Sequence, residues 1–452
     1  MDYTQITEQE QQEMLDAIGV ESIDALFEII PEAARCSGEL DLPIAKSELE
    51  LQRDLLEMAG HNYSSQAMAC FMGAGAYDHF YPALIDQLIL RGEFLTAYTP
   101  YQAEASQGSL QAFFEFQTQI ARLAGLDIAN ASLYEGATAL AEAAILAMNT
   151  TRRSRVLVAE TIHPDSMQVL RTYLGDLGGE ITVLPACGGT VDPASITEAI
   201  DGDVAAVIVQ SPNIWGCIED VTACFERAHA QEGTVAITAF HPVAAALLKS
   251  PGECGADIAT AEGQPLGIPM SLGGPYCGLF AAKEKFARKM PGRLIGRTTD
   301  ADGRAAYCLT LQTREQHIKG ERATSNICTN QGLLALRITM FLTVLGKQGL
   351  RTMAEQCWHK AHYLAKAIDG VEGYALTYPD APFFNEFCIE CPVEVTGIIE
   401  TAKRRGILAG VAPAGRRMGK IGTDRQLLIA VTEKRTKSEM DALVQVLEGA
   451  RE

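Results

Sequence analysis

Between residues 130 and 282, short runs that are apolar throughout alternate with longer segments whose apolar positions recur at helical spacing. Val156–Ala159, Ile181–Leu184, Val204–Val209, Val235–Thr238, Ile258–Ala261 and Gly278–Ala281 read as strands, and Gly136–Met148, Pro164–Leu174 and Thr222–Gln231 as helices. Fully apolar strands alternating with helices predict a largely parallel sheet covered on both faces. Upstream, residues 1 to about 60 read as short acidic helices, among them Glu48–Ala59. Cys70–Pro100 is loop-rich, and Ser109–Leu123 forms a helix with Phe113, Phe116 and Ile120 on one face. Downstream, Met290–Asn326 is polar and irregular. Ser325 or Asn326 is placed to cap a long helix reaching about Leu345, followed by a second over Leu350–Ile368. Strands at Tyr374–Tyr378, Phe387–Glu390 and Leu427–Val431 flank helices at Val395–Arg405 and Lys437–Glu448, the pattern of a smaller α+β domain. The chain therefore divides into 1–130, an N-terminal helical and loop segment, 131–325, a large α/β domain, and 326–452, a long interdomain helix with a small α+β domain.

Composition narrows the class. The chain has 452 residues, 47% of them apolar, enough for a whole enzyme with a large core. Its net charge of −20 opposes binding to nucleic acid or anionic lipid. No apolar run reaches the length of a membrane span; the longest candidate, Val235–Leu248, is interrupted by His241 and Pro242. The N-terminus carries Glu8, Glu10 and Glu13 and no secretory signal is expected. Most of the 12 cysteines, such as Cys70, Cys217, Cys277 and Cys308, lie among apolar residues, as free thiols do in a reducing cytoplasm.

Few short motifs carry chemistry. Gly73-Ala-Gly75 is a fragment of a nucleotide loop and reads as a turn. Cys388 and Cys391 would point to opposite faces of a strand, and His359 with His362 has no nearby carboxylate and reads as a solvated face, so no metal site is expected. Tyr134–Ala139 lies between a strand and a helix, where free N–H groups either hold a phosphate or simply start the helix. His163 is a stacking or acid–base imidazole or a satisfied loop histidine. Two stretches stand out. Tyr98–Gly108 packs two tyrosines and several hydrogen-bonding groups into one loop. Leu311–Thr329 concentrates Arg314, His317, Lys319 and Arg322 before Thr324, Ser325 and Asn326, either a solvated loop with a cap or a positive pocket for an anion.

With Pro251–Ala259 (PGECGADIA), Glu262–Pro275 (EGQPLGIPMSLGGP) and Met290–Arg293 (MPGR), these two stretches resemble the glycine decarboxylase family, the P-protein of the glycine cleavage system. The similarity runs from about residue 5 to the C-terminus, and the length fits the N-terminal half of the one-chain enzyme, which in the two-subunit form is a free alpha subunit. The resemblance implies an α/β, aminotransferase-like PLP-dependent fold (fold type I), with a large, mainly parallel seven-stranded sheet and a smaller C-terminal α+β domain. It implies glycine dehydrogenase (aminomethyl-transferring) activity: glycine is decarboxylated on pyridoxal phosphate (PLP), and the aminomethyl group passes to the lipoyl arm of H-protein.

The family's catalytic subunit has a Schiff-base lysine between its GAD-like turn and a Gly-Gly-Pro run. Here Gln264 stands at that position counting back, or Pro265 counting forward, and neither can bond PLP. Thr238 and Ala239 stand where the aspartate that pairs with the pyridine is expected. The resemblance therefore makes this chain the partner of a PLP-carrying beta subunit, inactive alone, in an assembly of two alpha and two beta chains. By the same resemblance, Thr324, Ser325 and Asn326 would serve the beta subunit's PLP phosphate. Tyr98, Tyr101 and Gln102 would line a shared pocket near glycine, and Arg314 and His317 would support that loop or face the lipoyl entrance. Two alternatives remain: a self-sufficient PLP enzyme using Lys249 or Lys283, and a structural or regulatory pseudoenzyme.

Overall fold

The computed structural model describes residues 5–36, 38, 40–327, 330–415 and 421–450. The chain forms two compact units, Met1–Tyr63 and Ser64–Glu452. The first contains helices α1 (Glu8–Ile18) and α2 (Glu48–Gly60). Each opens with a reciprocal capping box, Thr7 with Glu10 and Ser47 with Glu50, which satisfies backbone donors that the helix leaves unpaired.

The second unit is built on a seven-stranded sheet. Its strands are β1 (Ile128–Ala129), β2 (Arg155–Ala159), β3 (Glu180–Leu184), β4 (Val204–Ser211), β5 (Val235–Phe240), β6 (Ile258–Glu262) and β7 (Gly278–Ala282), in the spatial order β1-β7-β6-β5-β4-β2-β3. β7 runs antiparallel to both neighbours; the other adjacent pairs are parallel. The six strands read from the sequence are all present, and β1, two residues long, is too short to leave a pattern. Residues Val204 to Val209 are all fully buried, which is why this strand shows no polar alternation.

Helices α3 (Gln107–Ala124), α4 (Gly136–Thr151), α5 (Pro164–Gly175) and α6 (Val221–His229) surround the sheet. One apolar core joins Leu140 of α4, Leu157 of β2, Val207 of β4 and Phe225 of α6. A second joins Phe116 of α3 and Leu279 of β7 to Ile338 and Phe341 of α7 (Gly332–Asp369).

α7 begins at Gly332, not at Ser325 or Asn326 as the sequence suggests. The Ser325 hydroxyl is used locally, accepting from the Ile327 N–H at 3.1 Å, so it cannot cap a helix that starts later. The expected break into two helices is a kink at Gly346, whose backbone (φ 59, ψ −175) leaves the helical region. By length and composition α7 could cross a membrane, although no single apolar run in it is long enough. Its buried residues, including Ala335, Ile338, Phe341, Ala354 and Cys357, instead make it a core helix here.

Met290–Asn326 is more ordered than its polar sequence suggests. Strands β8 (Leu294–Thr299) and β9 (Ala305–Thr310) form an antiparallel ribbon. Only Leu294, Ile295 and Leu309 of its hydrophobic residues are fully buried, and its outer end is exposed, which hides the strand period. The C-terminal part pairs β10 (Ala375–Leu376), β11 (Glu386–Glu390) and β12 (Gln426–Ala430) against α8 (Val395–Arg404) and α9 (Lys437–Glu448). Cys388 and Cys391 are buried in different apolar clusters, as opposite faces require. His362 is not solvated as expected: its ring stacks on Phe383 at 4.0 Å and lies 4.2 Å from Trp358.

Candidate functional site

The carboxyl ends of β4, β5 and β6 and the start of α4 enclose a cleft of about 270 Å³. This is where open α/β sheets bind ligands. Gln210, Ala239, Phe240, Glu262, Pro265 and Gly136 are among its walls. Of the two residues expected at the lysine position, Pro265 lines the cleft and Gln264 is almost fully buried. Its amide closes on the backbone of Tyr77: Oε1 accepts from Tyr77 N–H at 2.8 Å, and Nε2 donates to Tyr77 O and to Ile268 O, both at 2.9 Å. Thr238 is buried, with its hydroxyl 3.3 Å from Ala239 O, and Ala239 presents only a methyl group to the cleft.

At the α4 N-terminus two of the donors that could hold a phosphate, the Gly136 and Thr138 N–H groups, are already engaged. Glu135 accepts from Thr138 N–H at 2.7 Å and from the Thr138 hydroxyl. Glu262 Oε2 accepts from Gly136 N–H at 2.9 Å, while its Oε1 accepts from Gln264 and Cys277 N–H at 3.0 and 3.2 Å. Gly136 permits this approach, since a Cβ there would lie 2.9 Å from Glu262 N. Burial pushes the Glu262 carboxyl up to about 7, although three backbone N–H groups work the other way. Glu386, also pushed up to about 7 by burial, accepts from Ala74 N–H at 2.6 Å and from the Tyr77 hydroxyl at 2.8 Å. His163 proves to be a satisfied loop histidine, with Nδ1 accepting from Asp165 N–H and Nε2 meeting Ala74 O at 3.0 Å. These residues do not fit PLP: among the described residues no amine lines the cleft, no carboxylate ends β5, and two carboxylates sit on the helix start where a phosphate would go.

The candidate lysines lie elsewhere. Lys283 follows β7 and binds Asp257 at 2.9 Å. Asp257 precedes β6, at the end of the sheet opposite the cleft. Lys249 borders a neighbouring cavity with Ser211 and Thr238. Among the described residues, His79, Cys357 and Glu433 bring metal-ligating types together. Glu433 is already engaged there by Phe80 N–H at 2.5 Å, His79 Nδ1 at 2.7 Å and Cys357 Sγ at 3.3 Å.

A second polar centre surrounds the Met290–Arg293 turn. Arg293 is 3% exposed; its Nη2 donates to the Tyr101 hydroxyl at 2.9 Å and its Nη1 to Asn330 Oδ1 at 3.1 Å. Asn330 Nδ2 donates to Ala131 O and to Ser132 Oγ, and Gln331 N–H donates to the same Ser132 oxygen at 3.2 Å. Ser132 is held at φ 96, a region a serine rarely adopts without support from its neighbours. Tyr101 also meets His317 edge-on, with ring centres 6.0 Å apart. Tyr98, largely exposed, lines an apolar cavity of about 320 Å³ with Phe94, Phe113, Asn330 and Leu333. Gln102 is exposed.

On the other side of the turn, Arg314 donates to Met290 O. Thr324 and Ser325 share a small cavity with Arg314 and Lys289, and Asn326 is exposed. Burial pushes the Arg314 guanidinium down from its usual range, with Glu315 partly offsetting this. Thr99 Oγ1, Arg293 Nε, Arg314 Nε and Nη2, and Glu315 Oε1 are buried with no hydrogen-bond partner among the described residues. The structure thus gathers Tyr101, His317, Arg314, Thr324 and Ser325 around one turn, with Tyr98 beside Asn330. Sequence reasoning missed Arg293 and Asn330 as its links. An arginine directly after Pro-Gly, ahead of the apolar pair Leu294-Ile295, was the available signal.

Residues 1–447 match the family model for the glycine cleavage system P-protein. A probable glycine dehydrogenase (decarboxylating) subunit 1 of Chlorobium chlorochromatii strain CaD3 is 47% identical over 452 residues, covering 100% of both chains. The crystal structure of a glycine decarboxylase (P-protein) of the glycine cleavage system, in inhibitor-bound form, superposes with a TM-score of 0.91 at 41% identity, covering 99% of this chain and 100% of that one. Lactobacillus brevis glutamate decarboxylase superposes with a TM-score of 0.69 at 13% identity, over 94% and 97% of the two chains, and shows the shared fold alone. The architecture is that of the PLP-dependent fold-type I enzymes.

Proposed function

The chain belongs to the glycine cleavage system P-protein family, and we propose on that premise that it is the non-lysine, alpha subunit of a two-subunit glycine decarboxylase. The observation that carries this reading is that Gln264 and Pro265, one of which stands where the family's lysine would, offer no amine, Gln264 being held by the Tyr77 backbone. PLP suits the fold and the family but not this cleft, so the cofactor belongs to a beta subunit. There it supplies the electron sink for decarboxylation. The aminomethyl group then passes to the lipoyl arm of H-protein, in a cytoplasmic assembly of two alpha and two beta chains, without nucleic acid or membrane.

This chain's contribution is the polar centre around Met290–Arg293. Tyr98 and Tyr101 present hydroxyls toward glycine in the shared pocket. Thr324, Ser325 and Asn326 reach the partner's PLP phosphate, and Arg314 supplies positive charge behind them. Arg314 and His317 also brace the loop, the latter against the Tyr101 ring. Reconstitution with the beta subunit tests the assignment. Tyr101→Phe and Asn326→Ala should each lower glycine-dependent carbon dioxide exchange while leaving assembly intact. Unchanged exchange in both would refute the shared pocket, and lost assembly would favour a purely structural subunit.

A further inference from the structure

We infer that Arg293 is a positioning residue that turns Tyr101 into a hydrogen-bond donor for an anionic oxygen of the bound substrate or cofactor. This rests on the proposed placement of Tyr101 in the shared pocket. An arginine has only donors, so at the 2.9 Å contact the Tyr101 oxygen accepts and its hydrogen must point away from the guanidinium. Tyr101 is half exposed, so that hydrogen faces accessible space. The guanidinium carbon also lies 5.1 Å from the Tyr101 ring centre, which fixes the ring as well as the hydroxyl.

The charge makes the contact directional. Both of Arg293's hydrogen-bond partners, the Tyr101 hydroxyl and the Asn330 amide, are neutral, and no described carboxylate pairs with it. Its Nε is buried with no hydrogen-bond partner among the described residues. A buried cation left in that state favours negative charge nearby, and Tyr101 is the partially exposed group through which that preference can act. Its other hand holds Asn330, which is tied to Ala131 and Ser132 just before α4 and precedes α7 by two residues. One guanidinium therefore sets the relative placement of the Tyr98–Gly108 loop and the start of α7.

The test uses the reconstituted complex in a double-mutant cycle with Tyr101→Phe and Arg293→Gln. Tyr101→Phe should lower kcat/KM for glycine by roughly 10-fold and Arg293→Gln by at least as much. Arg293→Gln in the Tyr101→Phe background should cost under about 3-fold more, the non-additivity expected of one connected unit. Arg293→Lys, which keeps charge but not the fork, should recover part of the loss. If glycine's carboxylate is the acceptor, the loss falls on KM with kcat nearly unchanged. If the cofactor phosphate is the acceptor, PLP retention falls instead. Additive losses, or losses in assembly with neither KM nor PLP retention changed, overturn the inference. No effect of Tyr101→Phe would remove Tyr101 from the shared pocket and with it the premise of this inference, a distinct result.

Discussion

In the cleft above β4, β5 and β6, Gln264, Glu262, Glu135 and Glu386 answer backbone donors and acceptors around them, and His241 Nε2 and Thr260 Oγ1 are the buried atoms left there without a partner on the described residues. Around Met290–Arg293, an equally polar region leaves five buried donor or acceptor atoms without partners on the described residues: Thr99 Oγ1, Arg293 Nε, Arg314 Nε and Nη2, and Glu315 Oε1. Unmet buried polar groups are costly, so a chain keeps them where something else supports them. Under the proposed function, the difference separates a site that has become structure from one that is finished by another molecule. Substitutions in the first should act on stability and in the second on turnover.

The largest expected effect is in the cleft. Gln264→Ala leaves the Tyr77 N–H and C=O and the Ile268 C=O without their buried partner. It should cost about 3–5 kcal/mol in urea unfolding, while exchange activity of complex that does assemble stays near wild type. Gln264→Lys should fare no better and should not trap PLP, because Glu135 and Glu262 still occupy the helix start. A cleft variant that lost turnover without losing stability would break the comparison.

The next effect is the converse. Asn326→Ala, at an exposed position, should change unfolding by under about 0.5 kcal/mol yet reduce exchange by roughly 10-fold or more. Ser325→Ala should sit between the two. It removes the Ile327 contact and a hydrogen bond to Glu142, whose carboxyl burial pushes up to about 7. A loss of about 1 kcal/mol in unfolding is expected together with reduced exchange.

The smallest effect concerns pH. The folded-state pKa of Glu386 is raised, so between its unfolded value near 4.5 and about 7 the native state binds more protons. Its contribution to stability therefore falls as pH rises through that window. Glu386→Gln can keep both contacts, accepting from Ala74 N–H and donating to the Tyr77 oxygen. It should raise stability at pH 8 by on the order of 1 kcal/mol and flatten the slope between pH 5 and 7. A steeper slope in the variant would contradict the assignment.

Much of the fold is legible in the sequence. Fully buried parallel strands such as Val204–Val209 announce themselves by unbroken apolar runs. The absence of a lysine at Gln264 or Pro265 and of an aspartate at Thr238 or Ala239 stands out because the family's chemistry demands particular side chains there. The β8–β9 ribbon was hidden because only its inner end is buried. Glu135 and Glu262 gave no local sign of their pairing, since the carboxylates meet one helix start from positions 127 residues apart. Arg293 and Tyr101 are brought together in the same way, across 192 residues.

On the proposed function, this chain completes a PLP site without carrying one. Borohydride reduction of the reconstituted, PLP-loaded complex, followed by peptide mass spectrometry of both subunits, tests it most directly. One pyridoxyl adduct per alpha–beta pair is expected, on the beta subunit alone. A stoichiometric adduct on this chain, at Lys249 or Lys283, would contradict it.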